Sequence, residues 1–176
     1  KDIFEDMMLY ASVSRGYKGP GADTLPTAIN KPIVDAEIPT NYELGGKSEW
    51  WDGRMRLNAS IFHTVFDDFQ ASLFNGGTPP QFFLDNAGKL TTEGLEVELS
   101  SQLSENLYVA ATLASIDAVF DEYMGASCYP RQTVAQGCVG GVQDLSGKEM
   151  PYSPDLTYSL YARYDIDLGS LPYNAY

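Results

Sequence analysis

The sequence predicts an all-β fold, an antiparallel up-and-down transmembrane β-barrel, and three observations predict it. Apolar and polar residues alternate with a period of two through most of the chain, and no amphipathic helical repeat competes with that pattern. Two alternating stretches are far longer than a common strand. The connections between stretches alternate between short turns and long loops, which is how a barrel sorts them across a membrane.

The elements follow in order. Met8 to Tyr17, MLYASVSRGY, reads as extended and stops at Lys18-Gly19-Pro20-Gly21. Residues 18–38 carry Pro20, Pro26 and Pro32 and form a long loop. From Tyr42 to Trp50, Tyr42, Leu44, Gly46, Ser48 and Trp50 alternate with Glu43, Gly45, Lys47 and Glu49. Asp52-Gly53 is the strongest short hairpin signal. The stretch Arg54 to Gln70 then runs for 17 residues. At about 3.3 Å each that is roughly 55 Å, against ~5–6 residues for a common strand. Leu57, Ala59, Ile61, His63 and Val65 share one side. Arg56, Asn58, Ser60, Phe62, Thr64, Phe66 and Asp68 share the other.

Residues 75–80 read as a loop. Residues 82–103 form the second very long stretch, with an irregularity expected at Asn86-Ala87-Gly88. Within it Leu95, Val97 and Leu99 oppose Glu96 and Glu98. Ser104-Glu105-Asn106 is a short turn, and Leu107 to Val119 alternates again. A long loop over about 120–150 precedes a last strand from Leu156 to Ile166. A turn at 168–172 and the start of another strand close the chain. About seven strands result, and residues 1–176 read as one partial barrel domain.

Composition excludes other classes. Eleven basic and 24 acidic residues give a net charge of −13, a poor match for nucleic acid or for adhesion to an anionic leaflet. No run approaches the ~18–20 apolar residues of a transmembrane helix. The N-terminus has no positive segment followed by an apolar run. His63 is the only histidine, and no nucleophile and base are arranged around it, so no enzyme, cofactor or metal site is expected. Asp67-Asp68 reads as a solvated strand end. Cys128 and Cys138 lie among small and turn-forming residues, without a second pair at metal spacing. They read as a disulfide closing a short surface loop in an oxidising compartment, with two free thiols as the alternative.

In a membrane barrel the outward face meets lipid and the inward face meets water or a plug. The Leu57, Leu95, Leu107 and Leu156 sides are expected outside. The sides carrying Arg56, Asn58, Glu96, Glu98 and Arg163 are expected to line the lumen. A tilted strand crosses the bilayer in ~9–11 residues, so the surplus of the long strands must project beyond it.

Four stretches together resemble the barrel portion of TonB-dependent outer-membrane receptors. They are LYASVSRGYKGPG (9–21), PTNYELGGKSEWWDGRMRLNASIFHTVFDDFQ (39–70), FLDNAGKLTTEGLEVELSSQLSENLYVAATLASIDAVFDEY (83–123) and DLSGKEMPYSPDLTYSLYARYDI (144–166). The resemblance covers most of the chain, in family order. It implies a barrel of ~22 strands with a plug domain, in the bacterial cell outer membrane. Such a protein imports a scarce nutrient, a ferric siderophore or similar, with energy from the TonB complex. The plug, the TonB box and the terminal aromatic strand are not found here, so the chain is expected to be an internal piece of that barrel. Tyr17, Lys18, Phe74, Tyr123, Tyr129 and Arg131 are the expected substrate-binding loop residues, because aromatics and Arg are favoured at recognition surfaces. Lipid, the TonB complex and a small-molecule nutrient are the expected partners. A passive porin-like channel and a soluble extracellular β-sandwich binding module are the alternatives.

Overall fold

A computed structural model of the chain describes residues 2–4, 6–22, 33–75 and 81–166. Its main feature is one antiparallel sheet of seven strands. These are β1 (Asp2–Phe4), β2 (Met7–Arg15), β5 (Ile38–Trp50), β6 (Met55–Asp67), β9 (Lys89–Ser104), β10 (Leu107–Glu122) and β13 (Leu156–Tyr164), adjacent in that order. Three small two-stranded ladders lie at the end away from the short turns. They pair β3 (Gly21–Ala22) with β4 (Ile33–Val34), β7 (Gln70–Asn75) with β8 (Gln81–Asn86), and β11 (Met124–Ser127) with β12 (Val142–Asp144).

Chain neighbours pair by hairpins, which local turn chemistry dictates. Trp51, Asp52 and Gly53 all have positive φ, and the Arg54 amide donates to the Trp51 carbonyl at 3.2 Å. The short turn after Ser104 returns the chain into β10, with Leu107 opposite Ser104. The turn expected at 168–172 and the strand expected after it lie outside the described residues.

The long stretches are each interrupted, a departure from the unbroken strands the alternation suggests. β6 ends at Asp67, Asp68 adopts φ 55°, and β7 restarts at Gln70. Opposite, β8 ends at Asn86 and β9 begins at Lys89, with Gly88 at φ 65°. The two breaks face one another. The Phe69 amide donates to the Gly88 carbonyl at 3.1 Å and the Ala87 amide to the Phe69 carbonyl at 2.6 Å. A paired irregularity of this kind re-aims both strands together while keeping them bonded. Gly88 is required there twice over: its φ is left-handed, and a Cβ would lie 2.5 Å from the Glu122 carbonyl oxygen. Residues 70–75 and 81–86 therefore pair antiparallel, and residues 76–80 of the expected loop lie outside the described residues. The long loops are also less bare than expected. Lys18 bridges to Glu37, and β10 continues to Glu122 before β11 begins.

Register aligns like with like across the sheet. Ala11, Leu44, Ile61, Leu95, Ser115 and Leu156 form one row. Leu9, Gly46, Ala59, Val97, Leu113 and Tyr158 form the next. This apolar face stays open: Ile61 is 53% and Leu160 79% accessible. The buried residues cluster elsewhere, at the loop end. Ala87, Leu90, Phe120, Tyr123 and Ala126 pack there, with Phe66, Phe69, Ala71, Leu145 and Met150 against them.

Candidate functional site: the polar face and the loop end

Alternation puts Arg56, Asn58, Glu96, Glu98 and Arg163 on the face opposite the apolar rows. Lys47, Asn58, Glu98, Thr112 and Ser159 are successive register partners across five strands. Side chains of this length on adjacent strands reach one another. The Asn58 amide donates to Glu98 at 3.2 Å, and the Tyr10 hydroxyl donates to Glu43 at 2.5 Å. Arg56 pairs with Glu49 at 2.9 Å and Arg163 with Asp165 at 3.3 Å. Glu96 and Glu98 with Glu43, Lys47 and Ser60 surround a recess of about 210 Å³. Phe62, also on this face, lies over Gly94, whose missing side chain makes room: a Cβ there would sit 2.9 Å from the ring.

At the loop end a polar knot joins three segments. Glu37 is buried, and its carboxylate accepts from the Lys18 ammonium at 3.1 Å and the Gln70 amide at 2.8 Å. The Gln70 side chain donates to the Gly19 and Asp35 carbonyls, both at 2.9 Å. Asn86 accepts from the Asp35 amide at 2.9 Å and donates to the Asp68 carbonyl at 2.7 Å. Lys18, Gly19, Asp35 and Glu37 are thereby fastened to the base of β7 and β8.

Beside this knot, the β7–β8 pair and the 123–152 loop border an open cavity of about 690 Å³. Phe69, Gln70 and Ala71 form one wall; Tyr129, Pro130, Met150 and Tyr152 form the other. Phe120, Tyr123 and Ala126 are the buried residues between them. The Cys128–Cys138 disulfide, with Cα atoms 5.8 Å apart, holds the second wall. Within its ring the Cys138 amide donates to the Thr133 carbonyl at 3.2 Å, next to a 3-10 turn at Val134–Gln136.

Of the loop residues singled out from sequence, Tyr123 and Tyr129 meet in this cavity. Tyr123 is not an exposed recognition residue. It is buried, its hydroxyl has no hydrogen-bond partner among the described residues, and burial, with a smaller push from the Asp85 charge, raises its pKa to about 12. Tyr17 is exposed and Lys18 is committed to Glu37, both outside the cavity. Arg131 follows the wall residue Pro130 with φ 71°. The Phe74 side chain lies outside the described residues. Phe69, Phe120, Met150 and Tyr152 escape sequence reading because the strand break and the loop closure bring them together. Asp144, at the loop surface, is held below the usual carboxylate range by hydrogen bonds from Ser146. Among the described residues no group of three or more His, Cys, Asp or Glu is placed to hold a metal ion.

A single sheet with one open apolar face, one polar face, short turns at one end and structured loops at the other is the wall of an outer-membrane-type β-barrel. Comparison with known proteins makes the class specific. The family model for the TonB dependent receptor-like β-barrel matches residues 2–176, and the chain belongs to that family. The pesticin receptor of Yersinia pestis is 41% identical over 98 residues, 54% of this chain and 14% of that protein. A ferric-pyoverdine receptor of a Pseudomonas strain is 29% identical over 155 residues, 83% of this chain and 18% of that protein. Among solved structures, the ferric yersiniabactin uptake receptor of Yersinia pestis superposes with a TM-score of 0.68 at 23% identity, over 94% of this chain and 22% of that one. The chain thus spans less than a fifth of the length of these curated relatives.

Proposed function

We propose that the chain is a section of the barrel wall of an outer-membrane importer for a ferric siderophore or a similar scarce nutrient, driven by TonB-coupled energy. The observation that carries this reading is the two-faced sheet in a chain of the TonB-dependent receptor family. Its apolar rows face lipid. Arg56, Asn58, Glu96, Glu98 and Arg163 line the lumen, where the two glutamates offer charge partners to basic side chains of a plug. The structured loops, Tyr17, Lys18, Phe74, Tyr123, Tyr129 and Arg131 among them, form part of the ligand-binding end. The names of two relatives, which speak of ferric pyoverdine and ferric yersiniabactin, support a ferric siderophore as the cargo class. Membership of a receptor family supports a protein that is not an enzyme, and the acidic balance sets nucleic acid aside.

The test is uptake of iron-55 as a ferric chelate by cells that express the complete receptor as their only such importer. Uptake is expected to stop when TonB is removed. Uptake that continues unchanged without TonB would replace the active importer with the passive channel. Recovery of the complete protein from the aqueous fraction without detergent would replace both with the soluble module.

A further inference from the structure

We propose that residues 35–37 form a splint across the paired break at Asp68 and Gly88, so that residues 18–22 and 33–37 on one side and the β7–β8 pair on the other respond as one body. The inference uses bonds within this chain alone and does not depend on the importer reading.

The need for a splint comes from the break. The β6–β9 ladder of the wall stops at Asp67 opposite Lys89. Among the described residues two backbone bonds carry the pairing past it, from the Phe69 amide to the Gly88 carbonyl and from the Ala87 amide to the Phe69 carbonyl. Beyond them β7 pairs with β8 in a sheet of two strands. A two-stranded ladder is marginal in water by itself. Two left-handed residues stand at its root, Asp68 at φ 55° and Gly88 at φ 65°, so the continuous ladder that would fix its direction is missing there.

The side chains that flank the break supply what the ladder lacks. Gln70 opens β7, Asn86 closes β8, and the two are register partners. Both reach residues 35–37. The Asn86 carboxamide accepts from the Asp35 amide at 2.9 Å and donates to the Asp35 carbonyl at 3.1 Å. It also donates at 2.7 Å to the carbonyl of Asp68, the left-handed residue itself. The Gln70 side chain donates to the same Asp35 carbonyl at 2.9 Å, and the Gln70 backbone amide donates to the Glu37 carboxylate at 2.8 Å. One three-residue stretch is thus bonded to both strands and to the break between them and the wall. That stretch is itself held. Lys18 and Glu37 exchange backbone bonds at 2.9 and 3.0 Å, and Val34 is fully buried.

Burial decides which bond carries the coupling. The Lys18 ammonium is half exposed, so its ion pair with Glu37 contributes little. Glu37 and Gln70 are both buried, so a Gln70 amide without its carboxylate acceptor would bear the desolvation cost of an unmade bond. Glu37 is therefore the joint between the two segments. A coupling of this kind is reciprocal: what loosens either segment loosens the other.

Hydrogen-exchange mass spectrometry of the complete receptor in lipid nanodiscs tests both directions. Glu37→Ala is expected to speed exchange about ten-fold at residues 71–75 and 81–86, none of whose amides bonds to Glu37, the scale of one lost bond to a charged acceptor. Asn86→Ala is expected to speed exchange about ten-fold at the amides of Lys18 and Glu37, which bond to each other and not to Asn86. Glu37→Gln keeps an acceptor for the Gln70 amide and loses only the half-exposed ion pair, so exchange should stay within about three-fold of wild type. Acceleration confined to the segment that carries the substitution overturns the inference. So does a Glu37→Gln variant as fast as Glu37→Ala, because the acceptor would then not be the joint. Equal acceleration in β9 also overturns it, because the bonds would then support the whole wall. Each outcome is read from exchange rates, whatever the iron-uptake experiment returns.

Discussion

Replacing both cysteines, Cys128→Ser with Cys138→Ser, isolates what the disulfide does for the loop that walls the cavity. The bridge spans a sequence separation of 10. In the chain-entropy model a ring of that size removes about 2.7 kcal/mol of freedom from the opened loop at 25 °C. Within the ring, backbone amides bond Gln132 to Tyr129, Gln136 to Thr133, Gly137 to Val134 and Cys138 to Thr133 at 2.9–3.2 Å. At about 1.36 kcal/mol per decade, those amides should exchange with deuterium roughly 100-fold faster in the double variant. Hydrogen-exchange mass spectrometry of the complete receptor, read on peptides covering 128–141, measures this directly. Peptides from β9 serve as the internal control, because their ladder bonds do not pass through the loop. A change under about three-fold (~0.65 kcal/mol) in the loop peptides would show that the polar contacts alone hold the loop and would refute the entropic reasoning. An equal acceleration in β9 would show that the bridge supports the whole wall instead.

Three further outcomes are expected. Tyr123→Phe removes a buried hydroxyl that has no partner, so the loop should hold its stability or gain up to about 1 kcal/mol by the same exchange measurement; a loss above that would reveal a bond the hydroxyl makes. Because the Tyr123 pKa is raised from 10.0 to about 12, the folded loop keeps its proton longer than the open one. Its contribution is full below pH 10 and is lost as pH rises through 12, and Tyr123→Phe should abolish that loss. Ile61→Arg, in the middle of the apolar face, should cost about 2–4 kcal/mol of folding stability in lipid, whereas Ser60→Arg on the polar face should cost under about 1; reversed costs would mean the faces are assigned the wrong way round, and equal costs that neither meets lipid. Gly94→Val drives a side chain into the Phe62 ring and the Ser115 carbonyl and should destabilise by about 1–3 kcal/mol, read as a lower midpoint of the folded-to-unfolded gel shift; an unchanged midpoint would mean the Phe62 ring moves aside freely.

The sheet was legible because its signal is local. Asp52-Gly53 fixes a turn, and the alternation on either side of it fixes which side chains share a face, so Arg56, Asn58, Glu96 and Glu98 fall together without any knowledge of register. The cysteine pair was legible for the same reason, since only nine residues separate the two and small and turn-forming residues flank them. The cavity was not. Its walls come from residues 69–71, 120–130 and 145–152, and only the paired break at Asp68 and Gly88 brings the first of these against the others. Gly88 hinted at that break, but nothing in the sequence says that Asp68 breaks opposite it. Tyr123 looked like an exposed loop aromatic because loop composition predicts surface. Its burial follows from the Leu145 amide and the Ser146 hydroxyl closing the loop back over it.

The position of the break makes physical sense if the apolar rows lie in lipid. From Trp50 to Tyr42 the outward face of β5 runs eight residues, roughly 27 Å along the strand. A tilt of about 40° reduces that to ~21 Å, close to the ~25 Å apolar band of a membrane barrel. The next outward row changes character: Tyr42, His63, Glu93 and Asp117 are register partners, with His63 3.2 Å from Glu93 and against the Tyr42 ring. Charged and amphipathic side chains there mark the level at which the wall leaves hydrocarbon. Asp68 and Gly88 lie only five residues further along their strands. Below that row lipid covers the apolar side chains, and the sheet needs no core of its own. On the opposite, polar face, Phe66, Leu90 and Phe120 are register partners at the same end, and water would meet them unless protein covers them. The paired break swings the β7–β8 hairpin toward them, and the disulfide-held loop folds back from the other side. The buried cluster therefore lies at the loop end of the polar face, and the recess is the part of that cluster the two segments leave unfilled.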